Sequence, residues 1–166
     1  MTAWRSERLR IETLTADEAA AIRAGDRAGR AWAIDYPSDG DRVVSAIIGE
    51  AGQHYDEASE IGHYQLRLIS DGTAIGGIGF LSAPVDGEVE IGYGLAGSAT
   101  GQGYATEGVR AVLAQLPQLG VRRVVALTDV DNWASHRVLM RVGFDRTGEV
   151  TTDDGVMLRW ELDVGD

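Results

Sequence analysis

The sequence contains no cysteine and no long apolar run, and both absences narrow its functional class. Without cysteine, disulfide bonds and thiolate catalysis are excluded, and a zinc site would need histidine and carboxylate ligands alone. The first residues, MTAWRSERLRIETL, alternate charged and apolar side chains, unlike a signal peptide, and no later run approaches membrane-spanning length. We therefore expect a cytoplasmic protein with no membrane partner.

The few histidines do not indicate a metal site. His54, His63 and His136 share no spacing that would bring them to one ion. We expect each of them to lie on the surface or to be hydrogen-bonded within the fold. The sequence therefore predicts no metal cofactor.

Positive charge is also scarce. The formal net charge is -11 at pH 7, with 15 Lys and Arg residues against 26 Asp and Glu residues. Proteins that bind nucleic acid through its phosphates need a positive field, so we expect no nucleic-acid partner. A cationic partner fits the acidic charge, and an acidity that only serves solubility fits it equally well.

The overall composition is that of one globular domain, which we assign to residues 1–166. Hydrophobic residues make up 44% of the chain and charged residues 25%, with no biased tract, internal repeat or linker. A chain of this length buries roughly 70% of the surface that its unfolded form exposes. We expect it to fold alone and to act as a monomer or homodimer.

The hydrophobic periodicity predicts an α/β fold. RLRIETL alternates like a half-buried strand, and Thr15 with Glu18 predicts a capping box before the first helix. A second helix is predicted to end at Gly52, and Asp-Gly dipeptides at 71–72 and 154–155 predict hairpin turns. The predicted order is β-α-α-β-β-β-α-β-α-β-β, a mixed and mostly antiparallel central sheet flanked by helices.

The predicted strand EVEIGYGL at 88–95 has two unlike faces. One face is apolar and carries Val89, Ile91, Tyr93 and Leu95. The other face carries Glu88, Glu90, Gly92 and Gly94. Its glycines leave this second face nearly bare.

Two glycines, Gly101 and Gly103, stand immediately before a predicted amphipathic helix. A helix N-terminus offers unpaired amides and a partial positive charge, and glycine lets a phosphate approach them closely. A plain strand-to-helix loop would use the same residues, so the pair alone decides nothing. No Lys-Ser/Thr follows, as a P-loop requires, and Thr106 occupies the place of the third glycine of a dinucleotide fingerprint.

The run from Glu88 to Phe144 resembles the GNAT superfamily of acetyl-coenzyme A dependent N-acetyltransferases. The resemblance is strongest to the branch that acetylates the N-terminal alanine or serine of ribosomal proteins. Two motifs carry it: EIGYGL followed by TGQGYATEG, and DNWASHRVLMRVGF. It implies a GNAT-like fold with acetyl-coenzyme A as co-substrate.

The resemblance also implies which residues bind coenzyme A. The diphosphate is expected on the amides of Gly101, Gly103, Tyr104, Ala105 and Thr106. The pantetheine arm is expected at Ile91, Gly92 and Tyr93, and at Asn132, which is also a candidate helix cap. Thr100 replaces the usual Arg or Gln of the loop, and Leu139 replaces a tyrosine that many family members use as an acid.

Acyl transfer to an amine needs a base for the amine proton and a donor for the leaving thiolate. Glu90, on the glycine face of its strand, matches a family glutamate and is the candidate base through a water, or else a solvated strand carboxylate. Ser135 is the candidate donor to the sulfur, or else a helix cap.

The acceptor site has the weakest sequence signal. In the resembled family the segment that holds Trp32, Asp35 and Tyr36 lines the acceptor pocket, and an acidic, aromatic rim would suit a cationic amine. A loop that packs its aromatic residues onto the core is the alternative. The predicted function is transfer of acetyl to a primary amine, of a protein N-terminus or a small molecule, by direct attack in a ternary complex. A non-catalytic acyl-coenzyme A sensor of the same fold is the alternative.

Overall fold

An eight-stranded sheet forms the centre of the structure, a computed structural model that describes residues 3–50 and 60–165. The strands are β1 (Ala3–Arg5), β2 (Leu9–Thr13), β3 (His63–Leu68), β4 (Ala74–Phe80), β5 (Glu88–Leu95), β6 (Arg123–Asp129), β7 (Asp145–Thr152) and β8 (Gly155–Asp163). The helices within these residues are α1 (Ala16–Ala24), α2 (Asp39–Glu50), α3 (Tyr104–Leu113) and α4 (Trp133–Val142).

The strands lie in the order β1-β2-β3-β4-β5-β6-β8-β7. Neighbouring strands are antiparallel, except that β5 and β6 are parallel. The predicted α/β class and the order of its elements are confirmed. The short β1, which the sequence analysis did not predict, pairs with β2. The predicted end of the second helix at Gly52 lies outside the described residues, and so does His54.

The predicted capping box at α1 forms only in part. The Thr15 hydroxyl accepts a hydrogen bond from the Glu18 amide at 3.2 Å. The Glu18 carboxylate turns away and accepts hydrogen bonds from Arg30, from Trp32 Nε1 and from Gln65 Nε2. Charged and indole donors from the fold therefore replace the local amide as its partners.

The two faces of the sheet carry different helix pairs. α3 packs on the face of Leu9 and Leu66, whose side chains lie next to Gly108 of that helix. The side chains of Val89 and Ile91 belong to the same large core. On the other face, α2 lies over β4, because Asp41 touches Gly77. The alternation predicted for 88–95 therefore points its apolar side chains toward α3 and its glycines toward α2.

The sheet opens between its two parallel strands. β5 and β6 pair only from Glu88–Arg123 to Glu90–Val125, although β5 continues to Leu95 and β6 to Asp129. The far edge of β5 stays paired with β4 as far as Leu95. Backbone groups of β5 that face β6 beyond Glu90 consequently have no sheet partner, and such groups require one from elsewhere. We refer to this gap as the β5–β6 opening.

None of the helices in the described part of the chain combines the length and apolar character required to cross a bilayer.

Candidate active site

The loop before α3 presents backbone amides. Gly101 and Gly103 have φ values of 74° and 83°, in the left-handed region that side-chain-bearing residues rarely adopt. Gly103 is the N-cap residue of α3, and no side chain caps this helix. The first amides of α3 are therefore available to an anion, with the partial positive charge of the helix end behind them.

A cleft of about 620 Å3 lies in front of these amides, between the start of α3 and one face of α4. We call it the α3–α4 cleft. Of the residues that the sequence predicted to bind coenzyme A or act in catalysis, the cleft is lined by Tyr93, Gly101, Gly103, Tyr104, Ala105, Thr106, Asn132 and Ser135. It also contains Thr100, whose hydroxyl donates to the carbonyl of Gly97, and two arginines of α4, Arg137 and Arg141.

At the start of α4, hydrogen bonding distinguishes the roles of Asn132 and Ser135. The side-chain oxygen of Asn132 accepts a hydrogen bond from the Ser135 amide at 3.2 Å, so Asn132 caps the helix. The cap role left open for Ser135 therefore belongs to Asn132. The Tyr93 hydroxyl donates to the Ser135 carbonyl at 3.3 Å, and burial raises the pKa of Tyr93 to about 12. Tyr93 thus carries its proton at neutral pH, close to Ser135.

Three further predicted residues lie outside the lining of this cleft. Ile91 is buried in the large core, and Gly92 lines a cavity on the opposite face of the sheet. Glu90 is half-buried on the glycine face of β5, and its burial raises the pKa of its carboxyl, against the opposing charge of Arg159. Its side chain lines neither the cleft nor that cavity.

The opposite cavity has a floor made of glycine. Gly77 of β4 pairs with Gly94 of β5, and Gly79 pairs with Gly92. Asp41 of α2 and His63 of β3 lie against this floor. A Cβ on Gly77 would overlap Asp41 Oδ1, and a Cβ on Gly79 would overlap His63 Nδ1. The cavity has a volume of about 520 Å3, and we call it the glycine-floored cavity.

The cleft and the cavity meet at the β5–β6 opening. Tyr93 and Gly94 line both the cleft, on one side of β5, and the cavity, on its other side. Asp129, the last residue of β6, lines the cavity across the opening. A group held in the cleft and a group held in the cavity can therefore approach each other through the sheet.

The residues predicted to bind the acceptor lie elsewhere. Trp32 and Tyr36 are 7% and 2% exposed, and their rings pack together at 5.3 Å in the second core cluster. Asp35 accepts a hydrogen bond from the Ser98 amide at 2.7 Å, and its hydrogen bonds with Ser98 lower its pKa. The rings thus pack onto the core, as in the alternative stated above, and a contribution of these three residues to acceptor binding stays a prediction.

Sequence reasoning missed two residues of the cavity. Asp41 completes a reciprocal capping box with Ser38, and this Ser-x-x-Asp spacing was its only local signal. His63 was expected to be an ordinary histidine, yet it faces the cavity, and burial lowers its pKa. His136 lies elsewhere, with Nε2 3.0 Å from the Asp129 carbonyl. Within residues 3–50 and 60–165 no group of three or more His, Asp or Glu side chains is placed to hold a metal ion.

Comparison with known proteins identifies the family and supports the fold. The family model described as "Acetyltransferase (GNAT) domain" matches residues 8–145. No curated protein sequence matches the chain significantly. Among solved structures, a proposed GNAT-family acetyltransferase from Bordetella pertussis is 26% identical, with a TM-score of 0.69, over 97% of this chain and 99% of its own.

Two ribosomal-protein acetyltransferases share the fold at lower identity. A protein from Vibrio cholerae, proposed to be a ribosomal-protein-serine acetyltransferase, is 18% identical with a TM-score of 0.72, over 98% of this chain and 97% of its own. RimL, a ribosomal L7/L12 alpha-N-protein acetyltransferase solved in complex with coenzyme A, is 18% identical with a TM-score of 0.67, and 98% of each chain is covered.

Proposed function

The chain belongs to the GNAT acetyltransferase family, and from that premise we propose that it transfers acetyl from acetyl-coenzyme A to a primary amine by direct attack in a ternary complex. One observation carries the proposal. The β5–β6 opening joins a cleft that offers free helix amides to a cavity on the other face of the sheet. Two substrates can therefore meet there without a covalent enzyme intermediate.

Acetyl-coenzyme A is assigned to the α3–α4 cleft. Its diphosphate would accept hydrogen bonds from the amides between Gly101 and Thr106, at a helix end that favours negative charge. Arg137 and Arg141 would add positive charge to this cleft, where Thr100 offers none. The pantetheine arm would pair with the unpaired backbone of β5 near Ile91 to Tyr93 and with the Asn132 side chain, and the thioester would reach the opening.

The reaction then requires only proton transfers by this chain. The amine nitrogen attacks the thioester carbonyl carbon, the C–S bond breaks, and the sulfur leaves with the electron pair as a thiolate. Glu90 would accept the amine proton through a water, since it lies on the cavity face of β5 two residues before Gly92. The Ser135 hydroxyl would donate a hydrogen bond to the departing sulfur, and Tyr93 is a second O–H group beside it.

The acceptor is a primary amine of a protein N-terminus or of a small molecule. The ribosomal-protein acetyltransferases that share the fold favour the first, while the volume of the cavity, about 520 Å3, also suits the second. All proposed groups belong to one chain, so a monomer suffices. We assign the reaction to the cytoplasm.

The experiment that tests this function measures free thiol released from acetyl-coenzyme A in the presence of peptides, polyamines and small aliphatic or aromatic amines. We expect amine-dependent thiol release, with the acetylated amine formed in equal amount. Tight coenzyme A binding without thiol release in any reaction would instead support the sensor of acyl-coenzyme A. Acetyl found on the protein before the amine is added would contradict direct attack.

A further inference from the structure

The glycine-floored cavity contains one buried carboxylate whose two oxygens differ in their surroundings. Asp41 is only 7% exposed. Its Oδ2 accepts hydrogen bonds from the amide and the hydroxyl of Ser38, at 2.9 and 2.6 Å. Its Oδ1 lies over Gly77 and lines the cavity, and it accepts no hydrogen bond from any residue in the described ranges. Because Oδ1 is open to the cavity, it is available to accept a hydrogen bond from a ligand group that enters there.

The capping box alone does not account for this arrangement. A Ser-x-x-Asp cap needs only one carboxylate oxygen, and Oδ2 fills that role. Gly77 lets Oδ1 lie directly on the strand, in a space that any larger residue would fill. Burial raises the pKa of Asp41, so the position stabilises the fold less than an exposed cap would. A carboxylate kept at a position that lowers the stability of the fold is typical of a residue that binds a ligand.

The rest of the cavity sets the chemistry of its ligand. Val43, Val44, Leu81 and Met157 give it apolar walls. None of its lining residues in the described part of the chain is Arg or Lys, and burial lowers the pKa of His63, which is therefore neutral at pH 7. An anionic group would find no cation here, and a carboxylate beside the amine would face Asp41.

Asp41 is also close to the β5–β6 opening. Gly77, on which it lies, pairs directly with Gly94 of β5, one strand spacing of about 4.8 Å away. Gly94 borders the opening and lines both the cleft and the cavity. A ligand amine that donates to Asp41 Oδ1 is consequently held beside the place where the thioester is proposed to lie.

We propose that Asp41 makes the glycine-floored cavity selective for primary amines on an uncharged, mainly apolar body, and against amines that carry a neighbouring carboxylate. That such an amine is the acetyl acceptor rests on the proposed function. The class includes the α-amine of a peptide and simple arylalkyl amines, and it excludes free amino acids. Asp41 binds the amine and is not itself the base.

The test compares phenylalaninamide with phenylalanine, which differ in the carboxylate. Binding of each is measured by calorimetry at pH 7 to the full chain saturated with coenzyme A. We expect the wild type to bind the amide on the order of 100-fold more tightly, because only the amino acid brings a second carboxylate to Asp41. Equal affinities in the wild type would overturn the proposal without any variant.

Two variants locate the selectivity. Asp41→Asn keeps an oxygen for the Ser38 amide and removes the charge, so the preference for the amide should fall to about 3-fold or less. Asp39→Asn removes the same charge from an exposed residue in the same helix turn and should leave the preference unchanged. A preference that survives in folded Asp41→Asn, or that both variants lose equally, would contradict a role of Asp41.

Thiol release measured with the same two amines distinguishes the proposed acetyl transfer from the proposed selectivity of the cavity. Selective binding with no release in either reaction would refute the proposed transfer and leave the selectivity intact. Release at equal kcat/KM with both amines would support the transfer and overturn the selectivity.

Discussion

At the scale of single residues, the surroundings of three carboxylates assign them different tasks. Asp35 is exposed, and its hydrogen bonds with Ser98 lower its pKa, so it is charged at neutral pH. Burial raises the pKa of both Glu90 and Asp41, but only Asp41 has a hydrogen-bonded oxygen and a free one. A raised pKa beside a cavity is typical of a functional carboxylate, and Asp41 lines such a cavity.

Glu90 should control the acidic side of the pH profile. Glu90→Gln keeps the shape of the side chain and removes its basicity, so we expect kcat to fall by about 100-fold or more while coenzyme A binding persists. A base must be deprotonated to act, and the pKa of Glu90 is raised. The wild-type rate should therefore increase with pH through a value above the usual 4.3 or so of glutamate, and the variant should lack this step.

Glu88→Gln is the matched control for Glu90, because Glu88 lies on the same face of β5 and also neighbours Arg159. Its pH–rate profile should match that of the wild type. If Glu90→Gln also kept the wild-type profile, Glu90 would not be the base, and His63, the neutral imidazole of the cavity, would be the next group to test.

Ser135 should affect the rate and not the stability. Its hydroxyl is not the cap of α4, since Asn132 fills that role, so Ser135→Ala should leave the melting temperature unchanged. Turnover should fall roughly 10- to 100-fold, as expected for one lost donor in a preorganised site. The loss is limited because a thiol of pKa about 8.5 leaves readily as the thiolate. An unstable but fully active variant would show that Ser135 acts only in the fold.

At the scale of elements, local signals were predictable and contacts across the sheet were not. The alternation of 88–95, the Asp-Gly hairpins and the glycines before α3 are encoded by neighbouring residues. The partners of Glu18 and the contact of Asp41 with Gly77 depend on residues distant in sequence. Asp41 and His63 of the glycine-floored cavity were missed for this reason, while most predicted residues that line the α3–α4 cleft belong to two continuous motifs.

The loop before α3 can be tested with two variants that introduce the same backbone strain, one in this loop and one elsewhere. Gly101 and Gly120 have φ values of 74° and 79°, and a Cβ on either would meet no other atom within 4 Å. Alanine at either position should cost about 1–2 kcal/mol of backbone strain. Only Gly101 lines the α3–α4 cleft, so Gly101→Ala should raise the Kd for coenzyme A about 10-fold or more, measured by calorimetry.

Gly120→Ala serves as the control and should leave the Kd unchanged. Equal coenzyme A affinity in the two variants would show that the diphosphate does not approach this loop.

At the scale of the whole molecule, the two faces of the sheet differ in the charges that they present. The chain carries a net charge of -11, yet the α3–α4 cleft has two arginines and the glycine-floored cavity has a buried aspartate. This distribution fits the proposal that an anionic cofactor and a cationic amine bind on opposite faces of one sheet. All 15 basic residues are arginine, so no lysine side chain of the protein competes with the acceptor for acetyl.

The central claim is that the thiol end of coenzyme A reaches the β5–β6 opening beside Ser135, and an engineered cysteine tests it most directly. The chain has no cysteine, so Ser135→Cys introduces a single thiol, whose thiolate attacks the disulfide of oxidised coenzyme A and releases one coenzyme A thiol. Mass spectrometry follows the mixed disulfide over time. Ser82→Cys, in the exposed turn between β4 and β5, is the control.

We predict that the Ser135→Cys protein forms the mixed disulfide at least about 10-fold faster than Ser82→Cys, because binding in the cleft raises the effective concentration of the disulfide. Excess acetyl-coenzyme A, which has no free thiol, should slow the first reaction and not the second. Equal rates for the two proteins, or no protection by acetyl-coenzyme A, would contradict the placement of the cofactor on which the mechanism depends.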